Sequence, residues 1–430
     1  MTGKEAIEYL NTKQYSKWNL GLERTEELLS RVGDPQKGLK FIHVVGTNGK
    51  GSTCAMLGQI FAEAGYRTGL YPSPFIEDFR ERIQINNEMI SFEDLGECTE
   101  IVARAADAME DHPSHFELIT AVGMLYFQKM HCDIVVLEAG LGGEFDSTNA
   151  IDAPEAAVIC NIGLDHTEYL GDTVEKIAQT KCGIIKPGSA VVSYDNVPQV
   201  MEVIEKKAAA CGNFLYKASE TEIVPLEKDL TGQVFLSDGR RYRLNLLGPH
   251  QLKNAQTVLT VVGAMRNRGW NIPDDAVRRG LNSVRWPARF ELLSAEPVFL
   301  LDGGHNPQCA EALSASIKEY LPGQKATFLI GMLADKDYPE VIRVIGKHAD
   351  RFLVVTPDSP RRLPAPEFAE TIRSLGYPAE AFDDGTFSED RIEEAMKTAM
   401  TGGGPVIAFG SLYLAGTVRK IARKLMPGVR

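Results

Sequence analysis

No apolar run in this sequence approaches the roughly 20 residues needed to cross a bilayer. The opening MTGKEAIEYLNTKQYSKWNL has no apolar core of the secretory kind, so a cytoplasmic chain without a membrane partner is expected. Cysteine is sparse and unpatterned: the seven (54, 98, 132, 160, 182, 211 and 309) are odd in number and contain no CxxC. That excludes a disulfide framework and a structural zinc site, and it suits a reducing compartment. Basic charge is also short, with 46 Lys and Arg against 58 Asp and Glu and a net charge of −12. Nucleic-acid binding is therefore not expected, because phosphate neutralisation needs a cationic surplus. A small anionic substrate needs only a local cluster and stays open. Internal repeats, low-complexity tracts and coiled-coil heptads are missing too. What remains is a chain of 430 residues, 44% hydrophobic and 24% charged, the composition of a globular protein with more than one domain.

Short Val- and Ile-rich runs alternate with longer amphipathic segments. Residues 40–45, 133–138, 156–161 and 189–193 read as strands, and 50–64, 116–130, 173–182 and 197–210 as helices between them. Such alternation predicts an α/β fold with a mostly parallel sheet covered on both faces. The Trp-Pro pair in VRWPARFELL (284–293) interrupts a helical stretch, and strand–helix alternation restarts at 298–304, 326–331, 351–357 and 406–410. The boundary is placed near residue 290. Residues 1–290 form an N-terminal phosphate-loop domain, and 291–430 a smaller C-terminal Rossmann-like, doubly wound domain.

The strongest local signal is HVVGTNGKGST, residues 43–53. A buried strand enters a Gly-rich turn that opens a helix, whose apolar face shows at Met56, Leu57, Ile60 and Phe61. Backbone N–H groups at a helix N-terminus favour anions. Lys50 can reach outer phosphates, and the hydroxyl of Ser52 or Thr53 can bind Mg²⁺. Gly51 separates lysine from hydroxyl, so the spacing departs from GxxxxGK[ST]. An ordinary Gly-rich turn is the plain alternative, and the flanking strand and helix favour nucleotide phosphate. The loop alone leaves kinase, GTPase, motor and ligase open, although no NKxD-type base-recognition motif is evident.

The remaining motifs occur in one order: SPFIEDFRERIQIN (73–86), LEAGLGGEFDSTN (137–149), NIGLDHTEYLG (161–171), KCGIIKPG (181–188), GPHQLKNA (248–255), WPARFE (286–291), LDGGHNP (301–307) and GMLADKD (331–337). With GTNGKGST (46–53) they make the chain resemble the folylpolyglutamate synthase/dihydrofolate synthase family, within the Mur ligase superfamily. The resemblance spans nearly the whole chain. It implies ATP phosphates held by Gly49, Lys50, Gly51 and Ser52, and Mg²⁺ ligands at Ser73, Glu138 and His166. It further implies nucleotide contacts at Asn254, Arg289 and Asp302, His305 beside the nucleotide, and an N-carboxylated side chain at Lys181. Leu20, Gly21 and Leu22, with Ser114, His115, Phe116 and Glu117, match stretches lining the pterin pocket. Gly143, Glu144 and Phe145 fall beside it.

The residues themselves support this unevenly. Glu138 ends an apolar strand at the sheet's carboxyl edge, where open α/β sheets bind ligands; alone it reads equally as a Mg²⁺ ligand or a structural acid. His166 follows Asp165 in a loop, and histidine is an unusual partner for hard Mg²⁺, so the resemblance carries that assignment. Asp302 ends another apolar strand before a Gly pair, a place suited to ribose hydroxyls or a metal. Arg289 offers a fork for a transferring phosphoryl group, or a boundary salt bridge.

Two segments depart from the family. Phe75 and Ile76 stand where SPHL is usual, and Glu144 stands where an arginine is usual. The charge reversal at Glu144 is either a surface exchange or a change in pterin recognition; on the second reading, glutamylation of a reduced folate exceeds ligation of dihydropteroate.

The implied reaction is ATP-dependent joining of L-glutamate to folate through an acyl phosphate, with ADP and phosphate released; dihydropteroate stays open as a second acceptor. ATP is expected across the domain interface, and a monomer is favoured. Three rivals stand beside this reading. A cell-wall ligase would need an N-terminal domain for a UDP sugar, for which the residues before Gly46 are too few. A nucleotide-binding regulatory paralogue would lack ligase turnover. A phosphate-loop kinase would not need glutamate.

Overall fold

The computed structural model describes residues 1–12 and 21–426. They form two compact units. The first gathers Met1–Val224, Leu236–Tyr242 and Lys253–Val284; the second gathers Pro225–Phe235, Arg243–Leu252 and Arg285–Arg430. Strand–helix alternation marks one boundary near 290 and gives no sign of the two short returns, since a short strand looks the same whichever unit it serves. Among the described residues no helix is long and apolar enough to cross a membrane.

The first unit is built on an eight-stranded sheet. From one edge its order is Glu88–Met89, Gln84–Ile85, Thr68–Tyr71, Ile134–Glu138, Phe41–Val45, Ala156–Ile159, Ala190–Ser193 and Leu215–Lys217. Pairing is parallel except around Gln84–Ile85, which runs antiparallel to both its neighbours. Strands Phe41–Val45 and Ile134–Glu138 are buried at every position, as a parallel sheet covered on both faces requires. The core includes Val135 and Leu137 with Leu118 and Val122 of helix His115–Lys129. It also includes Val45 and Ile159 with Ile177 of helix Val174–Lys181 and Ile204 of helix Pro198–Ala210. Each such side chain contributes about 1.5–3 kcal/mol by leaving water.

Chain order places the site. From Phe41–Val45 the chain crosses to Thr68–Tyr71 on one side, and from Ile134–Glu138 it crosses to Ala156–Ile159 on the other. Crossovers that diverge in this way leave a crevice at the strands' carboxyl ends.

The second unit carries a six-stranded sheet in the order Glu291–Ala295, Val298–Asp302, Val406–Phe409, Ala326–Ile330, Ala349–Val354 and Ala379–Ala381. Only the edge strand Glu291–Ala295 is antiparallel to its neighbour. Phe290, Leu300, Phe328, Phe352, Phe368 and Phe409 pack its core. A three-stranded sheet, Val224–Asp229, Gly232–Ser237 and Arg240–Leu244, completes the fold. Its second turn is Asp238-Gly239, both at positive φ (48° and 72°), the geometry of a two-residue hairpin.

Candidate active site

Strand Phe41–Val45 passes through four loop residues into helix Lys50–Glu63. The loop is pinned to the exit of the neighbouring strand. The amides of Thr47 and Asn48 donate to the Asn161 carbonyl (2.8 and 3.2 Å), and the Thr47 hydroxyl donates to the Gly163 carbonyl at 3.0 Å. Gly49 has φ 85°, and a Cβ there would lie 2.6 Å from Asn254 Oδ1, so both conformation and space demand glycine. Asn254, buried in helix Pro249–Asn267, therefore stands directly against the loop. Lys50 Nζ curls back onto the carbonyls of Gly46 (3.1 Å) and Thr47 (3.3 Å). Ser52 and Thr53 are both buried, and the Cys160 thiol meets the Thr53 hydroxyl at 3.5 Å.

Lys181, the last residue of helix Val174–Lys181, is buried and donates to the same Gly46 carbonyl at 2.9 Å. Burial first, then the nearby Lys50 cation, lowers its pKa to about 7. About half of such amines are neutral at pH 7, whereas an ordinary lysine at pKa ~10.4 is neutral roughly once in 2,500.

Glu138 closes its strand level with Val44. Its carboxylate accepts the Ser73 amide at 3.2 Å, and the Ser73 hydroxyl accepts from Arg82 Nη1 at 3.4 Å. Phe75 packs on Phe79 with ring centroids 5.8 Å apart, and the Arg82 guanidinium lies 5.4 Å from the Phe75 ring. The apolar departure at position 75 is thus absorbed into core packing. Three amides, of Ile76, Glu77 and Asp78, donate to the Glu81 carboxylate (2.7, 3.0 and 2.9 Å) and hold this segment.

The Glu138 carboxylate and Ser73 hydroxyl are hard oxygen donors, a fit for Mg²⁺. His166 has φ 50° and caps the short helix Thr167–Leu170, its amide 2.9 Å from Asp165 Oδ1. Among the described residues no three His, Cys, Asp or Glu side chains gather as a metal cage. An ion held by few protein ligands and by substrate phosphates suits that arrangement.

Ser73 also lines a pocket of about 240 Å³, whose walls include Gly21, Ser114, Phe116, Glu117 and Phe145. The sequence motifs point to all six. Two more of its walls are Arg24, outside every motif, and Asp146, inside one but not singled out there. Arg24 Nε donates to Glu117 Oε1 at 3.1 Å, and the other oxygen of Glu117 takes the Ser114 amide at 2.6 Å.

Four expected residues stay out of the pocket lining, and Leu20 lies outside the described residues. Leu22 is the N-cap of helix Glu23–Arg31. His115 turns away to the Leu10 carbonyl (2.8 Å) and the Phe79 ring. Gly143 backs onto Lys181, where a Cβ would lie 2.7 Å from the Lys181 carbonyl oxygen. Glu144 is exposed; its amide donates to Thr180 O (2.9 Å) and its Cβ is pressed near Gly183. This loop is stitched from behind. Asn149 Nδ2 donates to the carbonyls of Glu144 (3.0 Å) and Gly183 (3.3 Å), and Lys186 Nζ to those of Asn149 (2.9 Å) and Ile151.

In the second unit, Arg289 sits between two non-glycine residues at positive φ, Ala288 (53°) and Phe290 (48°). Each costs about 1–3 kcal/mol and persists only where surrounding bonds insist on it. Here Asp302 insists: Oδ2 takes the Phe290 amide (2.9 Å) and Oδ1 the Gly304 amide (2.7 Å). Its carboxylate thus anchors the turn that presents Arg289, a duty that no sequence motif reveals. Burial raises the Asp302 pKa, with Arg289 opposing. His305 Nδ1 lies 3.2 Å from the Gly303 carbonyl oxygen. His250, buried with Arg289 nearby, is pushed down to about 4 and stays neutral.

Residues 44–262 match the Mur ligase middle domain, and residues 288–412 the Mur ligase glutamate ligase domain. The folylpolyglutamate synthase of Lacticaseibacillus casei is 36% identical over 408 residues, covering 91% of this chain and 92% of its own. The dihydrofolate synthase/folylpolyglutamate synthase of Bacillus subtilis is 34% identical over 418 residues, with 93% and 94% covered. This chain belongs to the folylpolyglutamate synthase/dihydrofolate synthase family. The crystal structures of Mycobacterium tuberculosis folylpolyglutamate synthase complexed with ADP and AMPPCP share the fold, with a TM-score of 0.87 at 28% identity over 97% of this chain and 98% of that one.

Members of this family are ATP-dependent ligases of the Mur type, and the phosphate loop, the carboxylate at Glu138 and the pocket at Ser73 lie in one unit of this one. Arg24 sits two residues past the LGL segment, so extending that motif through its charged neighbours would have found it. Asp146 is in GGEFDSTN, and only its burial singles it out.

Proposed function

We propose that this ligase joins L-glutamate to the carboxylate of a folate, forming folylpolyglutamate with release of ADP and phosphate. Ser73 carries the reading: one residue both lines the pocket and donates its amide to Glu138, at the carboxyl edge of the sheet beside the Gly-rich loop.

In this reading Gly49, Gly51, Ser52 and Lys50 hold the ATP phosphates, and Asn254, which stands against Gly49, contacts the nucleotide. The pocket around Phe116 and Phe145 takes the pterin-bearing substrate. Mg²⁺ held by Glu138 and Ser73, with His166 as the family's third position, would neutralise charge on the transferring phosphoryl group. Arg289, Asp302 and His305 are proposed as the second unit's nucleotide-recognising residues, with the functional division near residue 290. The substrate carboxylate becomes an acyl phosphate, and the amine of glutamate displaces phosphate to give the amide. Activation is required because a carboxylate resists an amine, and exclusion of water protects the acyl phosphate. We further propose a monomer acting in the cytoplasm; all seven cysteines are free.

An ADP-release assay with dihydropteroate or tetrahydrofolate, each with and without glutamate, tests the reading. Release that needs both a folate and glutamate is the expected result. Nucleotide binding without that dependence would instead identify a regulatory paralogue, and release independent of glutamate a kinase. The same assay bears on Glu144. Because its side chain is exposed and outside the pocket lining, Glu144→Arg is expected to leave the dihydropteroate-to-tetrahydrofolate turnover ratio within about twofold, the scale of an ordinary surface substitution. A larger change would return position 144 to substrate recognition.

A further inference from the structure

His43 is the only polar side chain in strand Phe41–Val45 and is fully buried at the centre of the sheet. An imidazole there is costly unless its polar atoms are used. Nε2 lies 2.8 Å from Thr148 Oγ1, and Nδ1 has no partner. Thr148 Oγ1 lies in turn 2.5 Å from Asp146 Oδ1, which also takes the Thr148 amide at 3.0 Å. Asp146 Oδ2 accepts the Leu141 amide at 2.8 Å, and Asp146 lines the pocket that Ser73 shares.

Counting protons fixes the direction of this chain. An ionised carboxylate only accepts, so the Thr148 hydroxyl proton points to Asp146. The Thr148 oxygen is then an acceptor toward His43, which requires the imidazole proton on Nε2. That tautomer leaves only a lone pair unpartnered at Nδ1. The opposite tautomer would orphan a buried N–H and set two lone pairs against each other. Burial, with the Lys186 cation adding to it, holds His43 neutral at a pKa of about 3. Burial also pushes the Asp146 pKa up, against the bonds it accepts from Leu141, Thr148 and Gly140. A carboxylate in that position needs its donors to stay charged.

We propose that His43 and Thr148 are positioning residues of a fixed relay, His43 Nε2–H to Thr148 Oγ1–H to Asp146 Oδ1, that holds the Asp146 carboxylate ionised at the wall of the substrate pocket. The relay rests on the reading of this pocket as the folate site. It gives a role to a fully buried histidine. It also ties the strand that feeds the phosphate loop to the pocket wall.

Nitrogen-15 histidine spectra of the full chain at pH 7 test the geometry directly. The expected signature is a neutral imidazole protonated on Nε2 that disappears in His43→Gln and shifts in Thr148→Val. An Nδ1–H tautomer or an imidazolium at His43 overturns the relay, and this measurement needs only the wild-type fold. In kinetics, Thr148→Val is expected to raise the KM for tetrahydrofolate about tenfold, on the scale of a lost bond to a charged group, with the KM for ATP little changed. Thr148→Ser, which keeps the hydroxyl, is expected to restore it. An unchanged folate KM in Thr148→Val beside a raised one in Phe145→Ala overturns the relay alone. An unchanged folate KM in both overturns the pocket reading and the relay with it.

Discussion

Replacing Lys50 with alanine is expected to cut folate- and glutamate-dependent ADP release by about 10²–10³-fold or more, the scale of losing one preorganised electrostatic group. The protein is expected to stay folded. Lys50 opens its helix with its ammonium on the Gly46 and Thr47 carbonyls and none of its length in the core. Alanine is at home in a helix, and the two bonds lost are worth about 1 kcal/mol each. Circular dichroism and thermal melting establish the fold, and nucleotide titration locates the loss in phosphate handling. Turnover close to wild type in a folded variant would remove Lys50 from the phosphate site.

The second large effect is expected at Lys181. A free ammonium there would repel Mg²⁺, whereas a carbamate would offer the ion oxygens and negative charge. Carboxylation needs a neutral amine, and burial supplies one by lowering the pKa to about 7. The sign has a second consequence for the unmodified chain. Between about 7 and the ordinary lysine range the unfolded state binds the proton and the folded state does not, so stability rises with pH across that window. Lys181→Ala is expected to lose most activity while keeping its fold, because Lys50 still bonds the Gly46 carbonyl that Lys181 reaches. Acetate is expected to restore part of that activity by standing in for the missing carbamate. Full activity of Lys181→Ala without additive, or a bare ammonium in a crystal grown at high bicarbonate, would refute the modification.

Much of the architecture is legible in the order of the residues. Phe41–Val45 and Ile134–Glu138 are unbroken apart from one histidine and a terminal acid, and the Gly-rich turn before Lys50 leaves few alternatives to a strand-to-helix turn. Thr68–Tyr71 escapes because TGLY is four residues long and contains a glycine, and Gln84–Ile85 because two residues carry no period. The candidate site divides along similar lines. Residues whose role depends on local chain geometry, such as Gly49 and Lys50, are legible in order and spacing. Arg24 and Asp146 are not, because their place in the pocket depends on elements far apart in sequence meeting there. Glu144 is a case that sequence leaves open between surface and pocket. A charge beside a pocket motif looks functional in sequence, yet its neighbour Phe145 takes the pocket side and Glu144 faces solvent. Asp302 stands out in sequence as a possible ligand, whereas its bonds to Phe290 and Gly304 follow only from the shape of the turn at Arg289.

The stitching of residues 143–151 limits how this enzyme can change over generations. Asn149 and Lys186 fasten the loop through main-chain carbonyls, which exchanges at positions other than Gly143 and Asn149 preserve and an insertion or deletion displaces. New substrate preferences are therefore open to single exchanges at an outward position such as 145, whose side chain the stitches leave alone. They are closed to changes of loop length. The pocket evolves as a frame with replaceable panes.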